Sequence, residues 1–292
     1  MRVTVTEMYR NFLSDLETLS TNYNRVSRQI SSGKRISQLK DSPLGSAELA
    51  SLTELASEID MYRSNMSSGS YFLKAAESAL NEVNNIFTSI YTRGSEAGSE
   101  LMTTEARAAI ATEVRTLRDQ ILSLANSQAR GRYLFGGSQT LSPPFELTGD
   151  SVTYLGDDYT NSVAVNEGVE VEFDVTGSET FNSVFASIES LLTALDANDI
   201  SGIQSALGQF SSAFTELGQA RGQIGANLSV LNNITTVLDS KELNIKERRG
   251  VIEDADMAEA AVQLGQIQTA LQAALSAGGS ILSKPNLFDI LG

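Results

Sequence analysis

The sequence contains no cysteine, no histidine and no tryptophan, and only four prolines in 292 residues. Without cysteine there can be no disulfide and no thiol nucleophile. Without histidine a Ser-His-Asp triad and the common zinc ligand sets are excluded as well. If the chain works outside the cell, packing alone must hold it together. Aromatic residues make up 7%, a composition closer to long helices than to a compact enzyme. Basic side chains are missing from residues 133–220, where thirteen acidic ones stand, whereas residues 1–40 carry seven basic and three acidic side chains. The net charge of −15 disfavours nucleic acid as a partner. No run approaches the ~18 apolar residues of a membrane-spanning helix. Arg2, Glu7 and Arg10 interrupt the opening residues, so no cleaved apolar leader is predicted.

What is present is heptad spacing. Leu52, Leu55, Ile59, Tyr62, Met66, Gly69, Leu73, Ala76, Leu80, Val83, Phe87 and Ile90 recur at steps of three and four, a narrow seam suited to helix-on-helix packing. Pro43 suits the first turn of this helix, with Asp41 or Ser42 as its cap, and Gly94 and Gly98 are expected to break it. Thr103 or Thr104 should cap a second, antiparallel helix with a seam at Ile110, Val114, Leu117, Ile121 and Leu124. Residues 203–245 hold another seam: Ile203, Leu207, Phe210, Phe214, Leu217, Arg221, Ile224, Leu228, Leu231, Thr235, Leu238, Glu242 and Ile245. It should pack beside the first. A further helix is predicted from near Asn182, with a break at 196–199.

Between these helices the texture changes. Residues 132–181 are rich in Gly, Thr, Ser, Asp and Val. Tyr133-Leu134-Phe135, Val152-Thr153-Tyr154, Val163-Ala164-Val165 and the alternating run 169–175 read as strands, separated by Gly-Asp, Pro-Pro and Asn-Glu-Gly turns.

The two ends are amphipathic. After a short β-like opening at Val3-Thr4-Val5-Thr6, Phe12, Leu16, Leu19, Tyr23, Val26 and Ile30 form an apolar stripe. Leu264, Ile267, Leu271 and Ile281 form another, followed by an apolar tail with Leu287, Phe288 and Leu291. Such arms are too short to be stable alone and need partners; their seams are expected to lie between subunits. The predicted fold is therefore mainly α. It is a long antiparallel coiled-coil or helical-bundle rod with a small β-rich insert and amphipathic terminal helical arms. Its segments are an amino-terminal assembly arm (1–42), a long helix with its antiparallel partner (43–131), the β-rich outer domain (132–181), returning helices (182–252) and a carboxyl-terminal assembly arm (253–292).

No catalytic, metal or cofactor site emerges. Asp157-Asp158 lies in a turn without EF-hand spacing. The glycines of 131–137 do not have dinucleotide-binding spacing and follow a helix rather than a strand. Arg248-Arg249 beside Glu253, Asp254 and Asp256 reads as a solvated helix face.

Several motifs carry a resemblance. Val3-Thr4 with Met8, Ile30-Ser31-Ser32-Gly33-Lys34-Arg35-Ile36 and Lys40-Asp41-Ser42-Pro43-Leu44-Gly45 resemble the amino-terminal signature of bacterial flagellins and their relatives. Ile252-Glu253-Asp254-Ala255-Asp256-Met257-Ala258 is similar to the carboxyl-terminal one. The opening Met1-Arg2-Val3-Thr4 is similar to family members that join the flagellar hook to the filament. So are Gly131-Arg132-Tyr133-Leu134-Phe135-Gly136-Gly137-Ser138, Pro144-Phe145 and Val152-Thr153-Tyr154-Leu155-Gly156-Asp157. Ser42, where many relatives have a second Asp, and the Gly278-Gly279 pair depart from that pattern. A short flagellin is the alternative within the family, and a helical signalling or binding module the alternative outside it.

The resemblance implies a non-enzymatic, extracellular subunit of the bacterial flagellum, exported by the flagellar type III route with a chaperone on the carboxyl-terminal arm. It implies a homo-oligomeric ring between hook-associated protein 1 and flagellin, with no nucleic acid, membrane or cofactor, and an ion pair rather than catalysis for Arg107, which matches a recurrent arginine of the family's second helix.

Overall fold

The computed structural model describes residues 5–282, which fall into two units, residues up to 57 with 240 onward, and residues 58–239. Six helices run in the order α1 (Val5–Ser32), α2 (Pro43–Ala97), α3 (Thr104–Ala125), α4 (Gly177–Asp196), α5 (Ile200–Glu253) and α6 (Met257–Leu282). Between α3 and α4 lie three antiparallel hairpins: β1 (Gln128–Ala129) with β2 (Arg132–Tyr133), β3 (Phe145–Thr148) with β4 (Ser151–Tyr154), and β5 (Ser162–Asn166) with β6 (Val169–Glu172). The fold is mainly α with a small β-rich insert. No helix among the described residues is long and apolar enough to cross a membrane.

In the larger unit the seam of α2 is buried from Ile59 to Ile90 at every expected position, and its partner is α5. Phe87 stacks on Phe210 at 4.5 Å and lies 4.7 Å from Phe214. Ile203, Leu217, Ile224, Leu231 and Leu238 are buried along the same face of α5. The insert is anchored by an aromatic cluster in which Phe145 meets Phe181, Phe185 and Tyr154 at 5.0–5.5 Å. Arg118 of α3 donates to the carboxylate of Asp150 at the β3–β4 turn (2.9 Å). That guanidinium, with Arg115 beside it, holds the Asp150 carboxyl below its ordinary range.

Five expectations are corrected. Val5 and Thr6 begin α1 instead of forming a β-like opening, while Val3 and Thr4 lie outside the described residues. Gly94 does not break α2: it lies inside the helix, where a Cβ would come within 2.9 Å of Leu191 and 3.0 Å of Leu207. Here the missing side chain serves packing instead of a turn. α4 starts five residues before Asn182, at Gly177. The strands are shorter and differently placed. Leu134 and Phe135 are buried loop residues, β6 stops at Glu172, and β1 and β3 had not been anticipated.

The fifth correction concerns α3. Its buried face is Arg107, Ala111, Val114, Arg118, Ile121 and Ala125, with Ile110, Leu117 and Leu124 only half-buried. Two arginines sit on the seam, which is why an apolar count missed the register. Arg107 forms no ion pair among the described residues. Its guanidinium donates to the carbonyls of Ala97 (2.9 Å) and Ser99 (2.7 Å) and to the side-chain oxygen of Asn198 (2.7 Å). It therefore satisfies acceptors left over where α2 ends, a position where helices lack intrahelical donors. Thr103 caps α3 through the amide of Ala106, and Ser42 caps α2 through the amide of Gly45.

Candidate assembly site

The smaller unit brings the two arms together. α1 and α6 pack on each other within one chain. The apolar stripes expected to lie between subunits thus meet first within the subunit. Val26 is fully buried; Phe12, Leu16, Leu19, Tyr23 and Ile30 on α1 and Leu264, Ile267 and Leu271 on α6 are half-buried. Ile281 sits in the last turns of α6, and Leu287, Phe288 and Leu291 lie outside the described residues. The small residues of α6 allow close approach. Gly278 is buried, and a Cβ there would stand 2.5 Å from the Phe12 ring.

A pair of helices has no interior, so its seam cannot be fully covered. Large apolar side chains remain in solvent beside it: Tyr9 and Leu13 on α1, Val262 and Leu275 on α6. Tyr9 is the heptad seam's next step before Phe12, whereas Leu13, Val262 and Leu275 had not been singled out because they lie off that seam. Their signal was only that α1 and α6 are apolar on more than one narrow stripe.

Gly278→Val should open this pair. The added β-branched side chain overlaps the Phe12 ring, and overpacking typically costs about 1–3 kcal/mol. Amide exchange across α1 and α6 should quicken while α2 to α5 of the larger unit stay protected. Combining it with Phe12→Ala should recover part of the loss, since the two changes share one contact.

Where the arms leave α2 and α5, the two signature motifs form a single joint. Gly33 ends α1 with φ +72°, a left-handed conformation that suits glycine at a helix C-terminus. The chain then pairs with the α5–α6 connection. The amides of Arg35 and Ala255 donate to the carbonyls of Glu253 (2.5 Å) and Gly33 (2.9 Å), respectively. Arg35 Nη2 donates to the carbonyl of Ile252 (2.8 Å).

Lys34 Nζ meets Glu253 Oε1 at 3.0 Å and Arg249 approaches the same oxygen at 3.5 Å, with the Glu253 side chain 15% exposed. The expected solvated face around Arg248 and Arg249 is thus only half right: Arg248 is exposed and pairs with Glu48, but Glu253 is enclosed by two cations. Asp41 accepts the amides of Ser37 and Gln38, and these bonds, with the Ser37 one foremost, hold its carboxyl below the usual range. Asp256 accepts the amides of Ala258 and Glu259 and starts α6.

Gly33, Lys34, Arg35, Asp41, Ser42, Glu253, Ala255 and Asp256 of the two motifs thus each make a structural contact. Among the described residues no three His, Cys, Asp or Glu side chains are grouped to hold a metal. Asp157 spends its carboxylate on the Ser138 and Tyr159 amides and the Ser138 hydroxyl.

Paired amphipathic termini, long helices and an inserted β-rich segment define a class of mainly helical proteins built from both ends of the chain. The bacterial flagellin N-terminal helical region matches residues 5–140 and the flagellin C-terminal helical region residues 198–287. The chain belongs to the bacterial flagellin family and is a component of the flagellum. It is 23% identical over 299 residues to flagellar hook-associated protein 3 of Salmonella typhimurium, covering 94% of each chain. A flagellin of Clostridium tyrobutyricum is 29% identical over 120 residues, 41% of this chain and 32% of the flagellin. The crystal structure of Xanthomonas campestris FlgL superposes with a TM-score of 0.62 at 20% identity, covering 67% of this chain and 98% of that one.

Proposed function

We propose that this chain is a structural subunit of the hook–filament junction; its Salmonella relative is named as hook-associated. The observation that carries the reading is the α1–α6 pair, with its half-buried seams and exposed outer apolar side chains. One copy leaves that surface in water. Several copies side by side would bury it, at about 25 cal/mol per Å² of apolar area. The arms would form the inner tube, and copies would close into a ring between hook-associated protein 1 and flagellin. A chaperone on α6 would shield the same apolar surface before export. The likeness to the Salmonella protein runs the length of both chains, while that to the Clostridium flagellin covers less than half of this one. A flagellin of Treponema pallidum also covers 88% of this chain, at 24% identity, so coverage does not separate a junction role from a filament role.

Deleting the gene in its host decides between them. The expected result is complete hooks without filaments while flagellin appears in the medium. Hooks without filaments and no flagellin in the medium would make this chain the filament subunit.

A further inference from the structure

Arg130 and Arg132 are the last basic side chains before Arg221, and both sit at the tip of the β1–β2 hairpin. Both are exposed, and neither has an ion-pair partner among the described residues. Arg130 stands 4.5 Å over the Tyr71 ring. With Gly69 and Phe72 of α2, Val163 and Phe173, the two arginines line an open groove of about 390 Å³.

Phe173 belongs to an extended segment, its amide donating to the carbonyl of Asn161 (3.1 Å). Successive side chains of such a segment project to opposite faces. Phe173 rests on Phe72 at 5.7 Å, towards α2 and the groove. Glu172 and Asp174 project the other way. There, with Asp158, Glu179 and Glu216, they line a second open cavity of about 720 Å³ against α5. Asp158 is occupied by the Ser178 hydroxyl and Asp174 by Asn161. Glu172, Glu179 and Glu216 have no ion-pair partner among the described residues, and residues 133–220 supply no cation to serve them. One segment thus separates a cationic aromatic groove from an anionic cavity.

We propose that the Arg130–Arg132 groove receives the Glu172, Glu179 and Glu216 side of a second copy of this chain, so that copies join head to tail through the larger unit. Within a single copy the 172–174 segment stands between the two surfaces. The Arg132 charge reaches Asp174 and favours its carboxylate against the larger opposing effect of burial, but neither arginine forms an ion pair with Glu172, Glu179 or Glu216. Between copies they are complementary in sign. A contact between two different surfaces is heterologous, and repeating it closes a ring or winds a helix. Charge pairing of this kind fixes register and rejects like-signed approach more than it adds raw affinity, while the arms bury the apolar area. The inference rests on the subunit role proposed above and adds to it which faces meet.

The test is a charge swap in the full chain, made in a host lacking its own copy and read as the amount of protein recovered in isolated flagella. Arg130→Glu with Arg132→Glu, and separately Glu172→Arg with Glu179→Arg, should each reduce incorporation roughly tenfold or more, because each places like charges face to face. All four changes together should restore it to within about threefold of native, since the signs again alternate. If the fourfold variant is as poor as either parent, or either parent assembles normally, the proposal is wrong.

The absence of native cysteine allows a second measurement. Copies carrying Arg132→Cys and copies carrying Glu179→Cys, expressed together, should be joined by a short bismaleimide in intact flagella. Copies of either single variant alone should not. No joining, or joining of like with like, overturns the head-to-tail contact and leaves the junction role standing. Absence of the native chain from flagella overturns both.

Discussion

Arg107→Ala will lower the unfolding midpoint of the larger unit by roughly 4–12 °C, taking about 2–3 kcal/mol for the lost hydrogen bonds and the stranded buried Ala97 carbonyl, and 2–4 °C per kcal/mol at this size. The side chain is 3% exposed and joins three elements: the end of α2, its own helix and the α4–α5 turn. Removing it leaves the carbonyls of Ala97 and Ser99 and the Asn198 side-chain oxygen without their donor. Arg107→Lys should recover little, because an ammonium is a single point that cannot reach all three acceptors in their present directions. The measurement is thermal unfolding of the full chain by circular dichroism, with two transitions allowed because the chain forms two units. A midpoint within about 2 °C of native would mean that the three acceptors are otherwise satisfied.

Leu271→Asp, or Leu19→Asp on the facing arm, will abolish assembly while leaving the larger unit folded. Both leucines are half-buried between α1 and α6 in a single copy. In the assembled state proposed here they are covered further, and a carboxylate there must be desolvated or protonated. Either route costs several kcal/mol for each copy. Repeating that cost in every subunit of a ring multiplies the effect. The expected readout is loss of flagellar incorporation and of swarming with no change in the higher melting transition. Leu271→Met keeps the volume and the apolar character and should assemble almost normally. Normal motility in the aspartate variants would remove the arms from the assembly mechanism.

Much of this architecture was legible before any coordinates, for an identifiable reason. Long helices packed two by two repeat their contacts every three or four residues, so the pattern Leu73, Ala76, Leu80, Val83, Phe87, Ile90 can be read from the order of residues alone, and all six are buried. The caps at Ser42 and Thr103 are equally local, each a side chain reaching an amide three residues on. The insert was less legible. Its strands are two to five residues long, too short for alternation to stand out. Phe135, Phe145 and Phe181, far apart in sequence, hold it in place.

The functional surface divides in the same way. The seam residues of the arms follow from periodicity, but periodicity does not say which stripe faces which. That stripe-to-stripe match between α1 and α6 is a contact across more than two hundred residues of chain, and so is the joint in which Lys34 and Arg35 meet Ile252 and Glu253. The motifs at the two ends were each visible as signatures; that they are two halves of one joint was not.

The sequence by itself determined the helical periods, the caps, the charge imbalance of the middle block and the apolar character of both ends, because each depends on residues a few positions apart. Tertiary structure alone decided that Arg107 and Arg118 sit on a buried seam, that Gly94 and Gly278 make room for side chains of other helices, and that Glu172 and Phe173 face opposite ways. Each of those facts depends on which distant atoms arrive nearby, and no local preference encodes that.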